Sequence, residues 1–423
     1  MDKFVIHGKN ELVGEIAVSG SKNAALPLMA ATLLAPGKYL LGNIPRLKDI
    51  KSMRKLIQGI GVDSQLDETD LTISVPENLI PEAPYEIVKT MRASIYVLGP
   101  LLARHKEARV SLPGGCAWGP RPVDYHIKGL QRMGADIQIE NGFINARAPH
   151  NGLQGAQVYF DIPSVGATGN ILMAAVLANG TTSIKNAAIE PEITALIDFL
   201  RSMGADIEGK GTSHLIIQGK KELKPANMQV IPDRIEAGTF LVTAAATGGK
   251  ITLVNAEPDH LTEVLIKLEE TGAELSTEGN RIHISMQKRP EPVNVTTAVY
   301  PGFPTDMQAQ WTALMSVANG SSIITDTIYI DRFAHVAELN RLGTNINRKN
   351  NAAITQGNAN LKGAHVMSTD LRASASLIIA GLVAEGRTDV SRIYHLDRGY
   401  ERIERKLSKL GADIIRADEE LVT

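Results

Sequence analysis

The chain of 423 residues holds a single cysteine, Cys116, in the stretch Pro-Gly-Gly-Cys-Ala-Trp-Gly-Pro-Arg-Pro from Pro113 to Pro122. A free thiol has a pKa of about 8.5, so near neutrality it keeps a proton that it can donate. Gly114 and Gly115 predict a loop able to swing, and Arg121 with Pro122 predicts a fixed far end. That combination puts the single thiol in a flexible, exposed-looking loop beside a fixed cation. The plainer reading is a buried, inert cysteine. Polar clusters elsewhere stand just ahead of apolar, helix-length runs. They hold Lys22 and Asn23, Arg92, Ser164 to Thr168, Asp233 with Arg234 and Glu236, Asp306, and Asp370 with Arg372. Helix starts carry unpaired N–H groups and partial positive charge, so they attract anions. Three more arginines precede a second set of helices: Arg121 and Arg398 each lie 13 residues before a glycine, Gly134 and Gly411, and Arg332 lies 11 before Gly343. Arginines at matching positions in two domains are expected to face one another across a cleft. So many cations at element starts suggest a small phosphorylated polyanion as ligand. Taken singly, Asp306 and Asp370 read as helix caps and each arginine as a solvated side chain. His395 reads as a loop residue that positions Asp397 or Arg398.

These residues are placed by a repeat. A phrase made of a helix end, Gly, a small residue, Asp or a relative, and an apolar residue occurs at Gly61, Gly134, Gly204, Gly272, Gly343 and Gly411, with gaps of 73, 70, 68, 71 and 68 residues. Upstream of each stands an apolar run rich in small residues, as in Ile171 to Gly180 and Leu377 to Gly386. Five of the six runs stop at Gly, a usual helix C-terminal signal. A helix without a polar face is buried on all sides. The helix before each repeated Gly is amphipathic, as in Ile403 to Gly411, and so belongs on a surface. Each copy therefore predicts one inner helix, one outer helix and strands between them. Three copies make a domain and six make two. The first domain is placed at 21–230, with the cysteine loop, and the second at 1–20 plus 231–423. Residues 1–20 look like spare strand that completes the last unit of the second domain, and Asp233, Arg234 and Glu236 serve the crossing.

Composition narrows the function classes. Lys plus Arg is 44 against 46 for Asp plus Glu, a formal net charge of −2, which gives no global footprint for nucleic acid or an acidic membrane. One cysteine excludes an intramolecular disulfide framework and a cysteine-based zinc site. No long apolar signal region opens the chain and no run is long enough to span a bilayer, so a cytoplasmic location is expected. No phosphate-binding P-loop, dinucleotide fingerprint, nucleophile elbow or His-Glu-x-x-His pattern occurs.

Six stretches together carry a resemblance to a known family: PGGCAWGPRPVD, SKNAALPLMAA, MRAS, GFPTDMQAQ, TDLRASASL and HLDRGYERIE. The whole chain resembles the UDP-N-acetylglucosamine 1-carboxyvinyltransferases of the enolpyruvyl transferase family. The resemblance implies an α/β fold, a two-domain inside-out barrel built from six βαβ-type repeats. It implies transfer of the enolpyruvyl group of phosphoenolpyruvate to the 3-hydroxyl of UDP-N-acetylglucosamine by addition and elimination, the first committed step of peptidoglycan synthesis. Its partners would be those two small molecules, with no metal or organic cofactor, no nucleic acid and no membrane. Among the residues, Cys116 would donate the proton and Asp306 would be the base for the sugar hydroxyl. Lys22, Arg121 and Arg398 would hold the phosphate of phosphoenolpyruvate. Arg332 and Arg372 would bind its carboxylate, and Asp370 would assist proton handling or orient a neighbour. Asn23 would touch both substrates. Arg92, Arg121, Pro122, Val123, Asp124, Tyr125, Ser164, Val165, Gly166 and Ile328 would shape the nucleotide-sugar site. Trp118 stands where many members carry a small aliphatic residue, and Ile162 where some carry a lysine. A silent UDP-N-acetylglucosamine-binding regulator and transfer to shikimate 3-phosphate are the alternatives.

Overall fold

The computed structural model describes residues 2–89, 91–112 and 123–418. Cys116, Trp118, Arg121 and Pro122 lie outside the described residues, and so do the expectations attached to them.

Each repeat folds the same way, and the third shows the logic. A short strand, Gln157–Tyr159, leads to the inner helix Val165–Ala175, the central strand Thr181–Lys185, the outer helix Pro191–Ser202, and the strands Asp206–Glu208 and His214–Gln218. The sheet runs in spatial order first, central, last, third. Its first pair is parallel, as a strand–helix–strand crossover requires, and the other two are antiparallel. In the central strand Thr182 and Ile184 are buried while Thr181 and Lys185 face out, the period-two signature of a sheet covered on one side. The inner helix buries Ala167 to Ala175 without interruption, because its small and apolar residues leave no polar face. Pro191 opens the outer helix, where its missing N–H costs nothing. The described residues hold six such four-stranded sheets and no closed barrel of strands.

The six repeated glycines share one backbone requirement. Their φ angles are 102, 91, 103, 90, 87 and 100°, in a region that side-chain-bearing residues rarely enter. Each reverses the chain from an outer helix into the next strand. At Gly61, Gly204, Gly272 and Gly343 a Cβ would meet nothing within 4 Å, so the conformation selects Gly there, not lack of space.

The chain divides into two compact units, residues 20–231 and residues 1–19 with 232–423. Each has its own apolar core, centred on its inner helices. In the second unit, Asp2–His7 pairs with Arg387–Ser391 and Asp413–Asp418, and Val13–Ala17 pairs with Lys250–Val254. In the first unit, Met228–Gln229 completes the sheet of Gly37–Gly42. Asp233 caps the helix Arg234–Thr247. Buried Glu236 accepts from Ser19 N at 2.6 Å and Lys406 Nζ at 2.8 Å, which ties the N-terminal segment to that helix. Among the described residues no helix is long and apolar enough to cross a membrane.

Gly204→Ala is expected to destabilise the protein by about 1 kcal/mol through backbone strain alone. The midpoint of urea unfolding checks it. Gly99→Ala, whose Cβ would stand 2.4 Å from the Asn170 carbonyl oxygen, should cost more. Unchanged midpoints in both variants would contradict the glycine argument.

Candidate active site

In the second unit, three turns bring together residues far apart in sequence. Pro304 leads a tight turn, Thr305–Met307, that carries Asp306 into the helix Gln308–Met315. Arg372 is the second residue of the helix Leu371–Val383, and Arg332 precedes the helix His335–Arg341. Asp326, fully buried, braces two of these turns. Its Oδ1 accepts from Thr297 Oγ1 at 2.8 Å and from Ile328 N and Tyr329 N at 2.9 Å, and its Oδ2 accepts from Thr305 Oγ1 at 2.7 Å.

Arg332 Nη1 donates to Asp306 Oδ1 and Arg372 Nη2 to Asp306 Oδ2, each at 2.8 Å. Arg332 and Arg372 are buried, whereas the Asp306 side chain keeps 30% of its surface. Burial alone would push the Asp306 carboxyl up, but the two guanidinium groups outweigh it and hold it well below the usual carboxylate range. Burial lowers both arginines and Asp306 more than compensates, so both are raised. A carboxylate so held is a poor proton acceptor until its cations are drawn elsewhere.

A hydrogen-bonded layer supports the triad. Arg372 Nη1 donates to Tyr400 Oη at 3.1 Å, as does Gln310 Nε2 at 3.1 Å. Gln310 Nε2 also reaches the Asp306 carbonyl at 2.9 Å and Thr239 Oγ1 at 3.1 Å. Thr239 Oγ1 donates to the Ile235 carbonyl at 2.7 Å, so Tyr400 gives its proton to Thr239 across 2.8 Å. Burial, first of all, pushes the Tyr400 phenol up, which keeps that proton in place.

Asp370 and Asp306 separate here. Asp370 caps its helix through Arg372 N at 2.8 Å and Ala373 N at 3.2 Å, the plainer of its two readings, while lying in electrostatic reach of Arg332. Asp306 spends its carboxylate on arginines and caps nothing. Arg398 closes the turn Ile393–Arg398, whose Asp397 is held by Arg416 at 2.5 and 3.1 Å. Ile328 is exposed beside the Asp326 brace.

In the first unit, Lys22 is the first residue of the helix Lys22–Ala31, capped by Ser21, and Asn23 follows it. Lys22 Nζ lies 3.1 Å from Asp49 Oδ2, with both side chains largely buried. Ser164 caps the helix Val165–Ala175 by accepting from Ala167 N at 3.3 Å, which puts Val165 and Gly166 in its first turn. A Cβ on Gly166 would stand 3.2 Å from His126 Nε2, so that turn and the imidazole need glycine to approach so closely. Asn170 Nδ2 donates to His126 Nδ1 at 2.9 Å and to the Ile95 carbonyl at 2.8 Å, while its Oδ1 accepts from Gly99 N at 2.6 Å. Burial, reinforced by Arg92, drives His126 down to about 4, so it is neutral with its proton on Nε2. Val123 and Asp124 open the helix Asp124–Arg132, and Tyr125 packs edge-on against Phe160 at 5.8 Å. Ile162 is 61% exposed.

Sequence reasoning missed Asp49, His126, Asn170, Thr239, Gln310, Asp326 and Tyr400. The available signal was polarity inside an apolar run: Asn170, Thr239 and Gln310 are polar residues within inner helices that otherwise have no polar face.

This repeat architecture is that of the enolpyruvyl transferases. The enolpyruvyl transferase NikO from Streptomyces tendae superposes with a TM-score of 0.89 at 24% identity, covering 98% of this chain and 99% of that one. An EPSP synthase from Acinetobacter baumannii superposes at 0.77 with 20% identity, covering 99% and 100%. At the level of sequence, the profile of the EPSP synthase (3-phosphoshikimate 1-carboxyvinyltransferase) family matches residues 6–407. UDP-N-acetylglucosamine 1-carboxyvinyltransferases from Chlorobium phaeovibrioides and Chloroherpeton thalassium are 55% and 56% identical over 417 residues, 98% of this chain and 98% and 97% of theirs. The chain belongs to the UDP-N-acetylglucosamine 1-carboxyvinyltransferases, a transferase branch of that wider family.

Removing the central charge tests the triad. Asp306→Asn leaves two buried guanidinium groups facing each other and is expected to destabilise the second unit by about 2 kcal/mol at pH 7. The carboxyl is depressed in the folded state, so its stabilisation is complete above the ordinary Asp value of about 4 and is lost as pH falls toward the depressed value. Urea unfolding of both proteins across pH should show a difference that is constant above about pH 5 and shrinks below about pH 4. A difference independent of pH would contradict the triad.

Proposed function

We propose that this chain transfers the enolpyruvyl group of phosphoenolpyruvate to the 3-hydroxyl of UDP-N-acetylglucosamine and releases phosphate, the first committed step of peptidoglycan synthesis. One observation carries the chemistry: the part-exposed Asp306 carboxylate spans two buried guanidinium groups at 2.8 Å each. Two planar forks at that spacing suit a carboxylate, and the carboxylate of phosphoenolpyruvate is the incoming competitor.

Binding and base activation are then coupled. When the substrate carboxylate takes Arg332 and Arg372, Asp306 loses the cations that depress it and becomes a competent acceptor for the sugar hydroxyl proton. The hydroxyl oxygen attacks the substituted carbon of phosphoenolpyruvate while the methylene carbon gains a proton. Cys116 is the donor in this reading, its thiol becoming a thiolate. In the elimination the new methyl group returns a proton to that thiolate, the double bond re-forms, and phosphate leaves with the proton that Asp306 took. Proton count and charge close without metal or organic cofactor.

The remaining roles follow residue by residue. Lys22, Arg121 and Arg398 hold the phosphate, and Asp49 holds the Lys22 ammonium in place until the phosphate arrives. Asn23 contacts both substrates. Asp370 fixes the start of the helix that bears Arg372. The helix that Ser164 caps offers first-turn N–H groups to the diphosphate, with Val165 and Gly166 allowing close approach. Arg92, Pro122, Val123, Asp124, Tyr125 and Ile328 shape the nucleotide-sugar pocket.

Purified protein should release phosphate only when both phosphoenolpyruvate and UDP-N-acetylglucosamine are present. Release with shikimate 3-phosphate instead would move the assignment to the other branch of the family, and tight nucleotide-sugar binding without release would make the chain a silent binder. The epoxide fosfomycin should add once to the intact protein in the presence of nucleotide sugar. Mass spectrometry should place the adduct on Cys116 and find none on Cys116→Asp. An unmodified wild-type thiol would remove the cysteine from the mechanism.

A further inference from the structure

Buried polar atoms without a hydrogen bond gather on the turns of the ion triad. Arg332 Nε, Arg372 Nε, Gln310 Oε1, both amide atoms of Gln308 and His335 Nε2 are of this kind. Buried polar groups are normally paired, so each orphan calls for a reason. Among these atoms, Arg332 Nε can donate and His335 Nε2 can accept. Arg332 Nε always carries a proton, and an unprotonated imidazole nitrogen accepts one hydrogen bond.

The two residues stand three apart on the turn that leads into the helix His335–Arg341. His335 is 1% exposed, and its ring stacks on Phe333 with centroids 6.1 Å apart at 28°, so packing fixes the imidazole plane. Burial lowers His335 to about 4, with Asp370 opposing and Arg332 reinforcing the shift. The ring is therefore neutral at neutral pH, and its charged neighbours are the helix-capping Asp370 and the carboxylate-binding Arg332. On the Arg332 guanidinium, Nη1 is engaged by Asp306, and Nε has no partner.

We infer that His335 is a positioning residue for Arg332: its unprotonated Nε2 accepts the Arg332 Nε–H when a substrate carboxylate replaces Asp306 on the guanidinium. Because the fork is planar, fixing Nε fixes the direction of both Nη groups. His335 thus sets where the carboxylate sits without touching it. The inference rests on the enolpyruvyl-transfer reading and adds to it a residue on which substrate orientation depends.

Steady-state phosphate release by wild type, His335→Gln, His335→Asn and His335→Leu tests it, with KM measured separately for each substrate. Glutamine places an acceptor where Nε2 lies and asparagine where Nδ1 lies. His335→Leu and His335→Asn should raise the KM for phosphoenolpyruvate about tenfold, the loss of one hydrogen bond to a charged group, with the KM for UDP-N-acetylglucosamine unchanged. His335→Gln should restore most of that loss. If Leu does not fold, the comparison of Gln with Asn carries the same contrast. Equal KM values in wild type and folded variants, both KM values rising together, or Gln behaving no better than Asn would each overturn the positioning role while an active wild type upholds the reaction. A wild type that releases no phosphate overturns both.

Discussion

Two buried guanidinium groups on one carboxylate set the terms for the second unit. Arg332 and Arg372 leave water for a low-dielectric setting, which is affordable only beside a counter-charge. Asp306 supplies it, with one oxygen for each cation. The three residues come from three different turns, so the ion triad also fixes those turns to one another. The same charge arrangement thereby keeps two guanidinium groups assembled around a carboxylate. In the proposed reaction a competing anion would exchange for Asp306 without any new cation having to be buried. The desolvation of both cations is met in folding, so such binding would require substitution only.

The layer behind the triad explains why this substitution need not collapse the site. Tyr400 accepts from Arg372 and Gln310 and donates onward to Thr239, whose own proton goes to a helix carbonyl. None of these bonds depends on the Asp306 carboxylate. Arg372 therefore keeps its orientation from behind when its partner in front changes. Asp326 does the corresponding work for the other two turns by holding Thr305 and the Ile328–Tyr329 backbone. In the first unit, Lys22 and Asp49 repeat the principle on a smaller scale, a largely buried cation with a resident carboxylate.

What was legible in the sequence follows from what is local. The repeated glycines announce themselves because each needs a positive φ whatever surrounds it. The inner helices announce themselves because small apolar residues fill a whole turn. Arg332 and Arg372 stood out as cations at element starts, and Asp370 as a cap. The contacts that give these residues their meaning are not local. Asp306 meets Arg372 across 66 positions, and Thr239 meets Tyr400 across 161. No spacing rule joins such pairs, and the polarity of Asn170, Thr239 and Gln310 inside apolar helices was the one trace they left. His335 left none, since a histidine beginning an amphipathic helix looks like any surface residue until its burial is known.

The polarity of the inner helices bears on where Lys22 and Arg372 stand, each at the amino end of one of them. At their carboxyl ends the protein satisfies its own carbonyls. Arg289 donates to the Val317 and Ala318 carbonyls after the helix Gln308–Met315, and Arg104 donates to the Leu33 carbonyl beyond the helix Lys22–Ala31. At the amino ends the caps are short, Ser21, Ser164, Asp233 and Asp370, and each takes only one or two of the free N–H groups. Two of the negative ends are thus met by side chains, while Lys22 and Arg372 stand at the positive ends of their helices. A repeat that opens its inner helices with polar clusters gives each unit, by itself, the same weak dipole preference for an anion. The arginines then convert that preference into a geometry that suits a carboxylate.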